Sequence, residues 1–200
     1  MRAGSSIHAN CVLLGEAGVL IRGASGAGKS SLSETLIAAA EARGLFARLV
    51  ADDRTLLERA NGRLIASAPA VLAGLIERRG FGIVKIAHAE AAIVRLVVDI
   101  EAEPPRMPVA QANEAQLEGI VVPRVAAPKG EANQAVTLVF GALESFWRRC
   151  CGRSPLAFAA QHGKLMVSAP VCANLWEDVR HNGASEVPDP ERNEFCAETA

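Results

Sequence analysis

Residues 23–30 read Gly23-Ala24-Ser25-Gly26-Ala27-Gly28-Lys29-Ser30 and fit G-x-x-x-x-G-K-[ST], the phosphate-binding P-loop pattern. That pattern dictates what must surround it. A glycine-rich turn can point successive N–H groups at an anion when a strand delivers it and a helix leaves it. The helix then presents its unpaired N–H groups and partial positive charge to the same anion. The flanks meet this demand. Gly18 to Arg22 is an apolar β-type run, and Ser30 to Arg43 carries Leu32, Leu36, Ile37 and Ala40 at helical spacing, with Gly44 as the stop. In such a loop Lys29 sets an ammonium on the β- and γ-phosphates of a nucleotide, and the Ser30 hydroxyl completes the shell of a bound Mg²⁺.

Upstream, Ile7 to Leu14 reads as a strand that turns through Gly15-Glu16-Ala17-Gly18 and returns along Gly18 to Arg22. With the turn at Glu16-Ala17, Gly15 faces Gly18 and His8 lies opposite Ser25. His8 is then either a phosphate-facing or acid–base group, or a strand-end imidazole in solvent, and a one-residue slip would send it to the other face. Downstream, the apolar run Leu45 to Ala51 ends in Asp52-Asp53, where nucleotide-binding α/β sheets carry catalytic or metal-binding acids. Strand alternation points the two carboxylates to opposite faces, so one of them meets the phosphates. Asn61-Gly62 marks a second hairpin between Leu56–Ala60 and Arg63–Ala66. Ser67 and Pro69 open a helix through Val71, Leu72, Leu75 and Ile76 that closes at Gly80. That places Glu77 in a last turn, where it opposes the helix dipole: a metal ligand, or a surface ion pair with Arg78 or Arg79. Phe81–Ile86, Ala92–Ile100 and Ile120–Val125 read as further strands, the last an edge or irregular one because of Pro123. Arg106 sits in a proline-rich loop, and Glu131 to Arg149 reads as a helix. From Cys150 the pattern decays: Leu156 to Leu175 could dock one short helix and one extended piece, and Gly183 to Arg192 reads as a disordered tail.

Composition narrows the partners. The chain has 200 residues, half of them hydrophobic, and a net charge of −1 with no basic cluster, which argues against duplex nucleic acid or an anionic membrane. Five cysteines in no metal-like spacing indicate a reducing compartment, and Glu16 and Arg22 interrupt the N-terminal apolar stretch, so no signal or membrane span is expected. The expected location is the cytoplasm.

Taken together, Ile7-His8, the loop 23–30, Leu49 to Arg54, Ala68-Pro69, Glu77-Arg78-Arg79-Gly80-Phe81-Gly82-Ile83, Pro105-Arg106-Met107 and Val122-Pro123-Arg124 resemble the catalytic domain of HPr kinase/phosphorylase, in family order over residues 5 to about 146. The resemblance implies an α/β P-loop domain with a mixed, largely antiparallel sheet flanked by helices, over residues 1–149, followed by an extension over 150–200. It implies a cytoplasmic protein-serine kinase that transfers the γ-phosphoryl of ATP, with Mg²⁺, to HPr or an HPr-like phosphocarrier of the phosphotransferase system. Its catalytic residues would be His8, Lys29, Asp53 and Arg106, its metal ligands Ser30 and Glu77, and its assembly a homohexamer. Asp53 would be general base toward the serine, and general acid in the reverse, phosphate-driven reaction.

This sequence departs from the family at three places, one of them the tail after residue 150, which matches nothing in it. The N-terminal domain of the long forms has no counterpart in the seven residues before His8, so a short form is expected. The family's basic segment after Val-Pro-Arg, important for dephosphorylation, is here Ala127 to Asn133, with an arginine missing and Glu131 gained. The expectation is a kinase with weak or no phosphorylase activity. A nucleotide-sensing module without efficient catalysis is the alternative, disfavoured because a pure sensor has no use for a general base. A small-molecule kinase would need a lid-like insertion, and none is visible.

Overall fold

The computed structural model describes residues 5–107 and 110–151, apart from the side chains of 110, 111 and 149–151. Its centre is the long strand Ala91–Glu101, and the order of elements explains how it comes to be there. The chain opens with β1 (Ser5–Ile7) and β2 (Ala9–Leu14), turns into β3 (Ala17–Arg22), and runs through the glycine loop into α1 (Lys29–Glu41). Then come β4 (Ala47–Ala51), the pair β5 (Thr55–Ala60) and β6 (Arg63–Ser67), a 3₁₀ turn at Ala70–Leu72, and the pair β7 (Leu75–Arg78) and β8 (Gly82–Lys85). The long β9 (Ala91–Glu101), a 3₁₀ turn at Ala110–Asn113, β10 (Glu114–Leu117), β11 (Ile120–Pro128) and α2 (Ala132–Cys151) complete the described residues. Of the expected extension over 150–200, all but the end of α2 lies outside them.

One nine-stranded sheet runs β1-β5-β6-β9-β3-β2-β4, with β10 and β11 joined on through the pairing of β11 with β9. Its pairings are antiparallel except for β9 with β3 and β9 with β11. The class is therefore mixed α/β, as expected, with the sheet largely antiparallel. Both helices lie on the same face. Alternation sorts the side chains: Val12, Val19, Ile21, Leu96 and Val98 pack with Leu32, Leu36 and Ala40 of α1 and with Val139, Phe140, Leu143 and Trp147 of α2. Cys11, Leu20 and Val97 face the other way, into a second core with Leu57, Leu64 and Val122.

Local chemistry ends the elements where the sequence indicates. Gly44, at φ 73°, closes α1 in a Schellman arrangement, with Leu45 N–H on the Ala40 carbonyl and Gly44 N–H on that of Glu41. Asn61 and Gly62 take φ 50° and 71° between Ala60 and Arg63, the two-residue primed turn that the dipeptide favours. Pro123 sits where β11 changes partner, from β10 to β9, so its missing N–H costs no ladder bond in the main sheet.

Three expectations need correcting. The first hairpin turns at Gly15-Glu16, since Leu14 pairs with Ala17 and Ala9 with Arg22. This moves each partner by two residues from the expected register, so every side chain keeps its face. The first strand is also interrupted at His8, where the chain leaves β5 as partner and joins β3. Most consequentially, residues 69–80 do not form a helix. A single 3₁₀ turn is followed by β7, which pairs with β8 in a separate two-stranded sheet, and Gly80 serves the turn between them. Apolar residues at 71, 72, 75 and 76 suit helix and strand alike over so short a run, and Gly74 at φ 74° breaks the helical reading.

Candidate active site

β2 runs antiparallel to both β3 and β4. The start of β2 and the ends of β3 and β4 consequently meet at one end of the sheet, where ligand sites of α/β sheets form. His8, the loop 23–28 and Asp52-Asp53 are delivered there together.

The loop departs from β3 at Gly23 and enters α1 through Gly28. Gly26 and Gly28 hold φ 72° and 99°, a left-handed backbone that side chains disfavour, and Ala27 N–H closes a turn on the Ala24 carbonyl. Gly28 is the residue immediately before α1, so the first free N–H groups of the helix point back across the loop. Lys29 is buried, 5% exposed, and its Nζ lies 3.4 Å from the carbonyls of both Gly23 and Ala24 and 3.0 Å from His8 Nε2.

The two aspartates have opposite surroundings. Asp52 is buried: its Oδ1 accepts from Ser30 Oγ at 2.8 Å and from Asn10 Nδ2 at 2.5 Å, and its Oδ2 accepts from the Glu77 backbone N–H at 2.9 Å. Asp53 has a side chain 71% exposed, with Oδ1 at 2.5 Å from His8 Nε2 and 3.8 Å from Lys29 Nζ. Its backbone is left-handed, φ 58°, at the centre of a three-residue turn closed by Arg54 N–H on the Asp52 carbonyl. Both carboxylates thus stand at the loop, where alternation along one strand anticipates a single one. The turn breaks the alternation and swings Asp53 back toward Lys29. His8 Nε2 can accept from the Lys29 ammonium or donate to Asp53, and the tautomer decides which.

Glu77 lies in β7 rather than at a helix end, so its position owes nothing to a helix dipole. Its backbone meets the same Asp52 carboxylate that holds Ser30. The neighbouring arginines do not form the local ion pair with it that was the alternative to a metal ligand. Arg78 reaches Glu34 of α1 at 2.5 Å, while a Cβ placed on Gly26 would stand 3.3 Å from Arg79 Nη2, so that guanidinium rests against the loop. Arg106 is exposed in the stretch after β9 and makes no hydrogen bond or ion pair with His8, Lys29 or Asp53.

Behind the loop, Arg22 binds Asp99 through two hydrogen bonds of 2.7 Å, and Arg124 bridges Asp99 and Glu101. Burial pushes the Asp99 carboxyl up, but hydrogen bonds and charge from the two arginines outweigh it and hold it below the usual carboxylate range. Cys11 is enclosed in the second core, where burial pushes its thiol up to about 12 and removes thiolate chemistry.

The profile of the HPr serine kinase C-terminal domain matches residues 1–139. The chain belongs to that family. An HPr kinase/phosphorylase of Limosilactobacillus reuteri is 32% identical over 151 residues, covering 69% of this chain and 45% of that protein. One from Clostridium tetani is 45% identical over 69 residues, covering 34% of this chain and 21% of that protein. The chain therefore spans less than half the length of these relatives. The solved structure of the HPr(Ser) kinase/phosphatase from Coxiella burnetii is 31% identical, with a TM-score of 0.59 over 71% of this chain and 98% of that one.

Within this HPr kinase domain, sequence reasoning missed Asn10 and gave Asp52 no role of its own. The signal for Asn10 was present. It is the one polar residue in the run Asn10-Cys11-Val12-Leu13-Leu14, on the same face as Val12 and Leu14, and a polar group so placed must find partners.

Proposed function

We propose that the chain is an ATP- and Mg²⁺-dependent protein-serine kinase acting on HPr or an HPr-like phosphocarrier of the phosphotransferase system, working in the cytoplasm. The observation that carries the reading is the convergence of His8, Lys29 and an exposed Asp53 on one side of the glycine loop, with Ser30 held by a buried carboxylate on the other. Residues 23–30 act as the P-loop. Their backbone N–H groups and the start of α1 cradle the β- and γ-phosphates, and Lys29 neutralises charge on the transferring group.

Asp53 is exposed enough to meet a hydroxyl carried on another protein, which the buried Asp52 is not. The seryl oxygen attacks the γ-phosphorus, its proton passes to Asp53, and the bond to the leaving ADP oxygen breaks. His8 orients Asp53 through the 2.5 Å contact, and Arg106 supplies a further cation to the phosphoryl group. Mg²⁺ fits the donor set. Ser30 Oγ and the Asp52 carboxylate are hard oxygen donors beside the loop, the Glu77 backbone meets that same carboxylate, and Mg²⁺ takes few protein ligands because phosphates and water fill the rest. Ser30 and Glu77 would hold it, and it would supply charge neutralisation between the β- and γ-phosphates. A homohexamer is the assembly in keeping with the family resemblance.

The test is incubation with ATP, Mg²⁺ and each HPr-like protein of the source organism, followed by intact-mass measurement. One added phosphoryl group, lost when the acceptor serine is replaced by alanine, supports the reading. ATP binding with no transfer to any of them points instead to a nucleotide sensor.

A further inference from the structure

Asn10 is fully buried and spends its amide on both aspartates at once. Its Nδ2 donates to Asp52 Oδ1 at 2.5 Å, with Ser33 Oγ at 3.2 Å and Ser30 Oγ at 3.4 Å beside it, and its Oδ1 accepts the Asp53 backbone N–H at 2.9 Å. The orientation of the amide is fixed by its partners, because the carboxylate requires a donor and the N–H an acceptor. Neither an aspartate nor an aliphatic residue of the same shape could serve both ends.

The Asp53 N–H is bound at the point where the backbone enters its left-handed turn. A non-glycine residue in that region persists only where its surroundings over-determine it. Asn10 supplies that restraint from a neighbouring strand. The φ of Asp53 in turn decides whether its carboxylate swings to His8 and Lys29 or continues into solvent.

We infer that Asn10 is a positioning residue for the phosphoryl-transfer reaction: it locks the Asp53 turn and so aims the base. This rests on the assignment of Asp53 as general base. Asn10 itself, with no exposure, touches no substrate.

The experiment uses the full chain with two variants, Asn10→Ala and Asn10→Thr, each alone and combined with Asp53→Asn. Threonine suits a strand and guards against a misfolded alanine variant, but its hydroxyl is one bond shorter and cannot bridge both aspartates. Misplacing a catalytic group by about 1 Å costs on the order of 10²-fold, so kcat should fall by about that factor in either single variant. ADP affinity in the absence of Mg²⁺ should stay within about twofold, because Asn10 makes no hydrogen bond to residues 23–29. In the Asp53→Asn background the same substitutions should change kcat by less than about twofold, since residues acting through one group are not additive. Hydrogen exchange at the Asp53 amide gives a readout independent of turnover: slow in the wild-type chain, at least about tenfold faster in both variants.

Full additivity of Asn10 and Asp53, or unchanged exchange at Asp53, overturns the inference while leaving the kinase reading intact. An unchanged kcat in Asp53→Asn alone overturns the base assignment, and this inference with it.

Discussion

Asp52 and Asp53 share a side chain and a strand end, yet substitution by asparagine should do different things to each. Asparagine tolerates the left-handed conformation that Asp53 adopts, and Asp53 is largely exposed, so Asp53→Asn should leave stability within about 0.5 kcal/mol. Its effect should fall on turnover, with kcat lower by roughly 10²–10⁴-fold, as for loss of a positioned base. Asp52→Asn differs because both carboxylate oxygens accept hydrogen bonds in a buried site. The new amide must turn an NH₂ toward a donor, either Asn10 and Ser30 on one side or the Glu77 N–H on the other. Leaving such a group unpaired costs about 1–3 kcal/mol, read as a lower unfolding midpoint in urea. Comparing the two variants by kinetics and denaturation checks the division of labour; equal loss of stability in both would refute it. At the same scale, Glu77→Gln should raise the Mg²⁺ concentration needed for half-maximal phosphorylation without raising the ATP requirement at saturating metal. An unchanged Mg²⁺ titration would remove Glu77 from the metal site.

Elements carry these residues, and two junctions between elements are exposed to single substitutions. The β7–β8 pair that holds Glu77, Arg78 and Arg79 is anchored at Gly74, whose carbonyl accepts the Ile86 N–H. A Cβ at Gly74 would stand 2.6 Å from His88 Nδ1 and 3.1 Å from the Ile86 carbonyl oxygen, and φ 74° is strained for any side chain. Gly74→Ala should therefore cost more than about 1 kcal/mol and displace the pair, lowering activity more than it lowers the unfolding midpoint. The second junction is Asp99, which ties β9 to β3 and β11 just behind the loop. Its carboxyl is held below the usual range, so its contribution is present above the unfolded pKa of about 4 and is lost as pH falls through the lower folded value. Asp99→Asn should then cost about 1.5–3 kcal/mol at pH 7, and the gap to wild type should narrow in urea titrations below about pH 4. A gap that stays constant with pH would assign the loss to packing rather than to charge.

Across the whole molecule, what the sequence disclosed follows the range of the interactions involved. The strand–loop–helix, the Schellman end at Gly44 and the Asn61-Gly62 turn were legible because each is written in adjacent residues. The run 69–80 was misread because its apolar positions fit two periods, and only pairing with β8 decides between them. Asn10 escaped because its partners lie 20 to 43 positions away in sequence. The segment after Arg124, by contrast, is legible in its own adjacent residues, and it bears on which directions of the reaction the molecule can run. β11 ends at Pro128, Gly130 turns the chain, and Glu131 lies just ahead of α2, with its carbonyl bound by Ala135 N–H. A carboxylate suits a helix N-terminus, and for that reason it opposes any second anion there. Phosphate-driven dephosphorylation must capture free phosphate in addition to everything the forward reaction needs. At close range an added carboxylate opposes such capture by about 1–4 kcal/mol, depending on local dielectric, while ATP arrives with its phosphate already attached. The expected outcome is a working kinase with little release of pyrophosphate when phosphorylated acceptor is supplied with excess phosphate, and a gain in that release on Glu131→Arg with the forward rate unchanged. Pyrophosphate release by the wild-type chain at a rate comparable to the forward reaction would show that Glu131 does not govern the reverse direction.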